Sequence, residues 1–226
     1  MDFFNIVKRG KHIVTAPHCS ALRLDFKLLR GSADRGTDMI AHYIGVELDF
    51  TVVTAKYSRF VLDFNAPKEK AIPTEFHDHE IPEVSVAEKR ERLYEYDAYY
   101  AALGKLVTKG CLHIALHSMY PVAPKNSRDE GNSRPDFRLG TLHGKTIADD
   151  RVEMFAEALR NEGYSVELNN VFSGREEIKQ THALGAQSLQ VEINAKHLLD
   201  MKNDCTDLKK VVVLMGVLRQ ALHALL

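Results

Sequence analysis

Two histidines stand where an open β-sheet would build a binding site. His18 follows the β-branched run HIVTA (12–16), and His117 follows the run LHIAL (112–116). In open α/β sheets, ligands bind at the carboxyl ends of the strands, so we expect both side chains at one edge of the sheet. Neutral imidazole is a common zinc ligand, and the pair therefore indicates a metal site. The alternative for each histidine is a hydrogen-bonded role near the core.

A glutamate within a β-branched segment is the third candidate. In Ser188-Leu-Gln-Val-Glu-Ile-Asn194, strand alternation places Gln190, Glu192 and Asn194 on one face. A carboxylate there would be costly in a dry core, so Glu192 is expected to face solvent, a partner or a site. A solvated edge strand is the alternative.

A basic, an acidic and an amide residue recur in Ser58-Arg-Phe-Val-Leu-Asp-Phe-Asn65, where the pattern predicts a strand over 59–64. On a strand, Arg59, Asp63 and Asn65 would share one face, and a guanidinium suits bidentate pairing with a substrate carboxylate. The alternative is an ion pair between Arg59 and Asp63. On a strand these two residues lie ~13 Å apart, too far to pair directly, which favours a ligand or a neighbouring strand as the partner of Arg59.

Other motifs point to no further chemistry. The run His77-Asp-His79-Glu80 has metal-binding residue types, but it lies in a proline-bounded stretch where we expect a solvated turn. HExxH, GxSxG and GxGxxG motifs are absent from the sequence. Gly144-Lys145-Thr146 lacks the spacing of a phosphate-binding loop, because only three residues separate it from Gly140.

The elements that must position these residues alternate between strands and helices. Runs rich in β-branched residues predict strands over 12–16, 51–55, 59–64, 112–116, 165–168 and 188–193. Apolar periodicity and end signals predict a helix capped by Thr37, one from the capping box Ser85-Val-Ala-Glu88 to Gly110, one over 149–162, and one from near 204–206 to the C-terminus. The stretches 66–84 and 120–146 are expected to be long loops. The alternation indicates an α/β fold, with a mixed central sheet flanked by helices in a single domain over 1–226.

Composition narrows the class of protein. With 226 residues, 45% hydrophobic and 27% charged, the chain is an ordinary globular one and not disordered or collagen-like. A net charge of −1 argues against a nucleic-acid partner held by phosphate attraction. Three cysteines without CxxC spacing favour a reducing compartment. The longest apolar run, Val211 to Leu218, is far short of the ~20 residues that span a bilayer, and the N-terminus lacks a secretory signal, so we expect a cytoplasmic protein without membrane partners.

An ordered set of short motifs resembles the N-formylglutamate amidohydrolase family, relatives of the zinc carboxypeptidases. The matching segments are Ala16-Pro-His18, Gly36-Thr-Asp38, Tyr57-Ser-Arg-Phe-Val-Leu-Asp-Phe-Asn65, Leu116-His-Ser-Met119, Asp136-Phe-Arg-Leu-Gly140, Asn170 with Gly174, and Leu189-Gln-Val-Glu-Ile-Asn194. They span about residues 13 to 200. Each segment is weak singly, but the ordered set is specific.

The resemblance implies a zinc carboxypeptidase-like α/β fold with one catalytic Zn²⁺. His18 and His117 would be metal ligands, with Asp38 preferred over Asp34 as the third because it matches the family's Thr-Asp pair. Glu192 would be the catalytic glutamate. The residues implied to contact substrate are Arg59, Asn65, Arg175 and Gln190.

The expected activity is therefore zinc-dependent hydrolysis of an N-acyl amino acid similar to N-formyl-L-glutamate. Departures from the family pattern at Cys19-Ser-Ala, at Asn170-Val-Phe-Ser-Gly174 and at Ala195 lie around the substrate side of the site. One alternative is a zinc amidase or carboxypeptidase that acts on another acylated amino acid or peptide. The other is a non-catalytic binding module of the same fold.

Overall fold

A seven-stranded sheet forms the centre of the protein in the computed structural model, which describes residues 3–22, 33–76, 79–81 and 83–226. In chain order the strands are β1 (Phe4–Val7), β2 (His12–Ala16), β3 (Phe50–Ala55), β4 (Glu75–Phe76), β5 (His79–Glu80), β6 (Leu112–Met119), β7 (Phe137–Gly140), β8 (Val166–Leu168), β9 (Gln187–Asn194), β10 (Leu199–Asp200) and β11 (Cys205–Thr206). The sheet has the order β1-β3-β2-β6-β9-β7-β8, and β4-β5 and β10-β11 are separate two-stranded ladders.

The central strands run in one direction. β3, β2, β6 and β9 are parallel to one another, while β1 pairs antiparallel with β3 and β7 pairs antiparallel with β9. The predicted mixed sheet is therefore confirmed. Because β2, β6 and β9 are parallel neighbours, their carboxyl ends meet at the same edge.

Helices cover both faces of this sheet. They are α1 (Thr37–Glu47), α2 (Val86–Leu106), α3 (Asp149–Asn161), α4 (Glu176–Ala183) and α5 (Leu208–Leu222). α1, α3 and α5 share one hydrophobic core with the sheet, to which they contribute Ile40, Phe155 and Leu214. α2 contributes Tyr99 and Leu103 to a second core on the opposite face, and α4 packs there against β6 and β9.

The strand β9 is central and buried on both faces. Leu189, Val191 and Ile193 pack into the core with α1, α3 and α5, and alternation turns Gln190 and Glu192 to the other side. Glu192 is only 5% exposed, since β6 and β7 flank the strand. The alternative of a solvated edge strand is therefore wrong.

The predicted strand over 59–64 is wrong. The segment is a series of turns, in which the carbonyl of Ser58 accepts hydrogen bonds from the N–H groups of Val61 and Leu62 and its hydroxyl accepts one from Phe60 N–H. The segment is apolar because it is buried: Val61, Leu62 and Phe64 pack in the core against α2 from these turns. Burial, and not strand pairing, explains the residue types.

Several element boundaries differ from those predicted. Ser85 caps α2 by accepting a hydrogen bond from Glu88 N–H, as expected, but the helix ends at Leu106, before Gly110. α1 is preceded by Gly36 as its cap, and Thr37 is its first helical residue, whose hydroxyl donates to the carbonyl of Asp34. The strand β7 lies within the stretch predicted as a loop, and α4 was not predicted.

A carboxyl group is buried between α2 and the sheet. Glu177, in the first turn of α4, is fully buried and accepts a hydrogen bond from the hydroxyl of Tyr99. Burial raises the pKa of Glu177 from its ordinary value of 4.5 to about 7. The folded protein therefore keeps this proton over a pH range in which the unfolded chain has lost it.

We expect Glu177→Gln to flatten the pH dependence of stability. The stabilisation from neutral Glu177 is fully present below pH ~4.5 and is lost as the pH rises towards 7, an amount of ~3 kcal/mol for the difference in pKa. Glutamine cannot ionise, so the free energy of unfolding of the variant should fall less between pH 5 and 8 than that of the wild type. Urea denaturation measures this difference. Glu176→Gln, at the partly exposed neighbouring position, is the control. Equal pH slopes for Glu177→Gln and the wild type would contradict the assignment.

Substitution by alanine at two glycines should change the free energy of unfolding in opposite directions. A Cβ at Gly140 would lie 2.6 Å from the backbone nitrogen of Gly174 and 2.7 Å from the carbonyl oxygen of Phe172. Gly140→Ala should therefore lower the free energy of unfolding by ~1–3 kcal/mol. At the exposed position Gly104 in α2, a Cβ would meet only Leu184 at 3.8 Å, so Gly104→Ala should raise it by ~0.5–1 kcal/mol. Chemical denaturation measures both, and effects of the same sign would refute this packing argument.

Candidate metal and active site

A cavity of about 860 Å³ opens at the carboxyl ends of β2, β6 and β9. His18, His117 and Glu192 all line it. The β6–β9 register places His117 directly opposite Glu192, and the ring centroids of His18 and His117 are 4.8 Å apart. The structure thus brings together the two histidines that follow predicted strands and the glutamate on the polar face of the segment 188–194.

Asp34 joins the two histidines. One ligand atom each from His18, Asp34 and His117 lies within 4.8 Å of the others. Oδ2 of Asp34 is 3.5 Å from Nδ1 of His18 and 3.1 Å from Nδ1 of His117. The backbone explains the approach, since Asp34 N–H donates to the carbonyl of His18 at 2.8 Å.

This geometry favours Asp34 over Asp38, the residue that the resemblance preferred as the third ligand. Asp38 lies in the first turn of α1, and it is not part of the group of possible metal ligands among the described residues. The other sequence cluster with metal-binding residue types cannot be placed, because His77 and Asp78 lie outside the described residues.

The donor set fits a divalent metal such as zinc. Nδ1 of His18 is buried without a hydrogen-bond partner, although it faces a carboxylate and a second imidazole. A buried imidazole nitrogen that lacks a partner is rare unless a ligand satisfies it. Two imidazole nitrogens and one carboxylate oxygen are a frequent set for zinc sites that retain an open position.

Asp34 is ionised in the folded protein. Burial alone would raise the pKa of Asp34, but its hydrogen bond with His117 and its close approach to His18 outweigh burial and hold that pKa well below the usual range. The hydroxyl of Ser118 donates to its Oδ1 at 3.2 Å. Asp34 therefore offers a carboxylate anion at neutral pH, as a metal ligand must.

Arg59 pairs with Asp63. Its Nη2 donates to Oδ2 of Asp63 at 2.7 Å, so the prediction that the two lie too far apart is wrong, because the segment is a turn. Oδ1 of Asp63 is 2.7 Å from Nε2 of His18. Arg59 also lines the cavity, but its charge is directed at the carboxylate that holds a metal-site histidine.

Asn65 contacts the second histidine. Its Nδ2 is 3.0 Å from Nε2 of His117, and its Oδ1 accepts a hydrogen bond from Glu177 N–H at 3.2 Å. Asn65 is 2% exposed. The geometry thus favours contact with His117 over the contact with substrate that the resemblance implied.

Glu192 and Gln190 form a buried pair. Nε2 of Gln190 donates to Oε1 of Glu192 at 2.7 Å. Burial raises the pKa of Glu192 above its ordinary value, which suits a carboxylate that accepts a proton near neutral pH. Gln190 is fully buried and is not among the residues that line the cavity, so it is better placed to orient Glu192 than to touch substrate.

Two further arginines, Arg134 and Arg175, line the cavity. Arg175, at the start of α4, is exposed on the cavity wall, as a substrate-binding residue should be. Sequence reasoning missed Arg134, which is buried, is held by two hydrogen bonds to Asp129 and lies over the ring of Phe172 at 5.1 Å. It belongs to the stretch expected to be irregular, where no periodic pattern marks it.

Within the part of the chain that the structure describes, no helix combines the length and apolar character needed to cross a membrane.

Comparison with solved structures shows the same fold. The N-formylglutamate amidohydrolase of Ralstonia eutropha JMP134 has a TM-score of 0.79 and 21% identity, with 100% of this chain and 96% of that chain covered. A gene product of Agrobacterium tumefaciens has a TM-score of 0.76 and 18% identity, with 100% and 95% covered. A bacteriophage poly-gamma-glutamate hydrolase has a TM-score of 0.51 and 12% identity, with 97% and 88% covered. The expected zinc carboxypeptidase-like α/β fold is thereby confirmed.

A search of curated protein sequences found no match. The family model for N-formylglutamate amidohydrolase matches residues 9–199, which include every residue of the cavity discussed above. The chain therefore belongs to the N-formylglutamate amidohydrolase family, and it is an amidohydrolase.

Proposed function

We propose that the protein cleaves the amide bond of an N-acyl amino acid in a zinc-dependent reaction, with N-formyl-L-glutamate as substrate and glutamate and formate as products. The observation that carries the proposal is the convergence of His18, Asp34 and His117 on one side of a cavity that Glu192 lines. A binding module that had lost catalysis would not need to retain a buried carboxylate beside a complete set of metal ligands.

His18, Asp34 and His117 would hold the zinc ion, through the atoms that converge in the structure. When bound, zinc activates a water molecule and offsets the charge that develops on the amide oxygen. Asp63 and Asn65 orient the two imidazoles through their Nε2 atoms, as outer-shell groups do in zinc sites.

Glu192 moves the proton. Its carboxylate takes a proton from the attacking water, whose oxygen forms a bond to the acyl carbon. The carbon–nitrogen bond then breaks, and Glu192 returns the proton to the leaving nitrogen, so that one water is consumed for each amide cleaved. Gln190 fixes the carboxylate for both transfers through its hydrogen bond to Oε1.

Arg175 binds the substrate carboxylate. Its guanidinium is exposed on the cavity wall and has no ion-pair partner among the described residues, whereas Arg59 is paired with Asp63. Arg134 also lines the cavity, but like Arg59 it is paired with a carboxylate, that of Asp129. Arg175 is therefore the cation that suits a substrate carboxylate.

The catalytic domain extends over the whole chain in this proposal. α5 lies beyond the matched residues 9–199, yet Val211, Leu214 and Leu218 belong to the same core as β6 and β9. The partner is a small-molecule N-acyl amino acid, without nucleic acid or membrane, and the location in the cytoplasm stays a prediction.

Substitutions of the proposed metal ligands and of the proposed base should have different effects on zinc content and on turnover. His18→Ala, His117→Ala and Asp34→Ala each remove a ligand, so we expect most bound zinc to be lost. Glu192→Gln should keep zinc and lose ~10²–10⁴-fold in kcat, because only the proton acceptor is removed. Mass spectrometry of metal content, paired with an assay of formate release, measures both effects.

Asp38→Asn is the matched control for Asp34→Ala and should retain zinc. Loss of zinc in the Asp38 variant with retention in the Asp34 variant would reverse the assignment of the third ligand. Full turnover by Glu192→Gln would remove the proposed base.

Arg175→Ala should weaken the binding of acidic substrates. A charge-assisted hydrogen bond contributes ~1.5–3 kcal/mol, so KM for N-formyl-glutamate should rise ~10-fold or more. N-formyl-methionine retains only the α-carboxylate and N-acetyl-glutamate enlarges the acyl group, so the three substrates separate side-chain from acyl recognition. Lys179→Ala, a nearby cavity cation that pairs with Glu176, is the control. An unchanged KM for all three substrates would place the carboxylate contact elsewhere.

A further inference from the structure

Two neighbouring side chains hold the two metal-site histidines. Asp63 contacts Nε2 of His18, and Asn65 contacts Nε2 of His117. The two holders are linked, because Asn65 N–H donates to Oδ1 of Asp63 at 2.9 Å. One short turn therefore positions both imidazoles, but with a carboxylate for one and an amide for the other.

The difference matters because a carboxylate only accepts hydrogen bonds, whereas an amide presents a donor or an acceptor. Oδ1 of Asn65 is occupied by Glu177 N–H, so the NH₂ group faces Nε2 of His117. Nε2 must then accept, and the ring proton lies on Nδ1, where Oδ2 of Asp34 accepts it at 3.1 Å. The same Nδ1 faces Oδ2 of Asp34, as Nδ1 of His18 does, so it is the nitrogen that would bind a metal held by the group His18, Asp34 and His117.

Metal binding at Nδ1 therefore requires the other tautomer. With the proton on Nε2, His117 becomes a donor there, and Asn65 must present its oxygen by turning its amide. That turn sets the NH₂ group against Glu177 N–H and loses one hydrogen bond to a buried backbone group, which is costly. Asp63 imposes no such cost on His18, since either carboxylate oxygen accepts a proton donor.

We propose that Asn65 is a positioning residue that sets the metal affinity of the site by selecting the tautomer of His117. The inference rests on the proposed metal site and deepens it. Asn65 supports the metal-binding tautomer when its amide is turned, yet it favours the metal-free tautomer when Glu177 N–H holds its oxygen. It thereby makes the site weaker than one with two carboxylate holders.

The test is the order of zinc affinities in three full-length proteins. In Asn65→Asp, one carboxylate oxygen accepts from Glu177 N–H and the other from His117 Nε2–H, so zinc should bind ~10-fold or more tightly than in the wild type. In Asn65→Ala, Nε2 has no side-chain partner in either tautomer, so zinc should bind ~10–100-fold more weakly than in Asn65→Asp. Competition of metal-free protein with a chromophoric chelator for Zn²⁺ measures all three.

Two controls separate this role from simpler ones. Ser127→Asp adds a charge to the cavity wall at a residue whose hydroxyl bonds the carbonyl of Pro124, so it tests for a general effect of charge and should change zinc affinity by less than Asn65→Asp. Thermal unfolding of the metal-free variants tests for lost structure. Nitrogen NMR of the His117 ring should show the proton on Nδ1 without zinc and on Nε2 with zinc.

A purely structural role predicts that both Asn65 variants bind zinc more weakly, and a substrate contact predicts unchanged zinc affinity with a raised KM. Either result would overturn the inference while leaving amide hydrolysis intact. Zinc affinities in the expected order without formate release would instead overturn the proposed reaction and support the role of Asn65. A wild-type protein that binds no Zn²⁺ would overturn both.

Discussion

The carboxylate of Asp63 is the point on which the site depends. It accepts hydrogen bonds from Arg59 and from the backbone of Asn65, and it holds Nε2 of His18. Burial alone would raise the pKa of Asp63, but the charges of Arg59 and His18 outweigh it and hold that pKa well below the usual range. A buried ion pair contributes little to stability because desolvation opposes it, so its retention is better explained by what it positions.

The fold tolerates such polar groups because they lie on one face of three strands. In β6 and β9 the residues facing α1, α3 and α5 are apolar, whereas the alternate positions carry His117, Gln190 and Glu192. Polar groups on that side find partners on the same strand, as Glu192 does in Gln190, or in a turn, as His117 does in Asn65. Because β6 and β9 are parallel, these polar side chains lie at the same edge of the sheet.

The sequence predicted the parts of the site that follow from strand ends and from strand alternation. His18 and His117 could be placed because each follows a predicted strand run and parallel strands share an edge. Glu192 could be placed because alternation puts it on the polar face of its strand. The position of Asp34 could not be predicted, because it depends on a backbone hydrogen bond to His18 that no local pattern encodes.

The strand predicted over 59–64 was wrong for a related reason. Its apolar residues alternate as they would in a strand, but the alternation reflects burial against α2 around turns that Ser58 closes. The short helix α4 was missed because its cap, Arg175, makes no side-chain capping hydrogen bond and leaves no signal before Glu176. Both failures concern elements whose shape is set by distant contacts.

Those two elements meet at the active site. α4 begins one residue after Arg175, the cation on the cavity wall, and the second residue of that helix donates its N–H to Asn65. The helix start therefore carries the proposed carboxylate contact and also fixes the group that faces His117. A displacement of this helix end would alter substrate binding and the orientation of a metal ligand together. The two functions are separable only by substitutions that change side chains and leave this backbone contact in place, which is why Arg175→Ala and Asn65→Asp probe different steps of one mechanism.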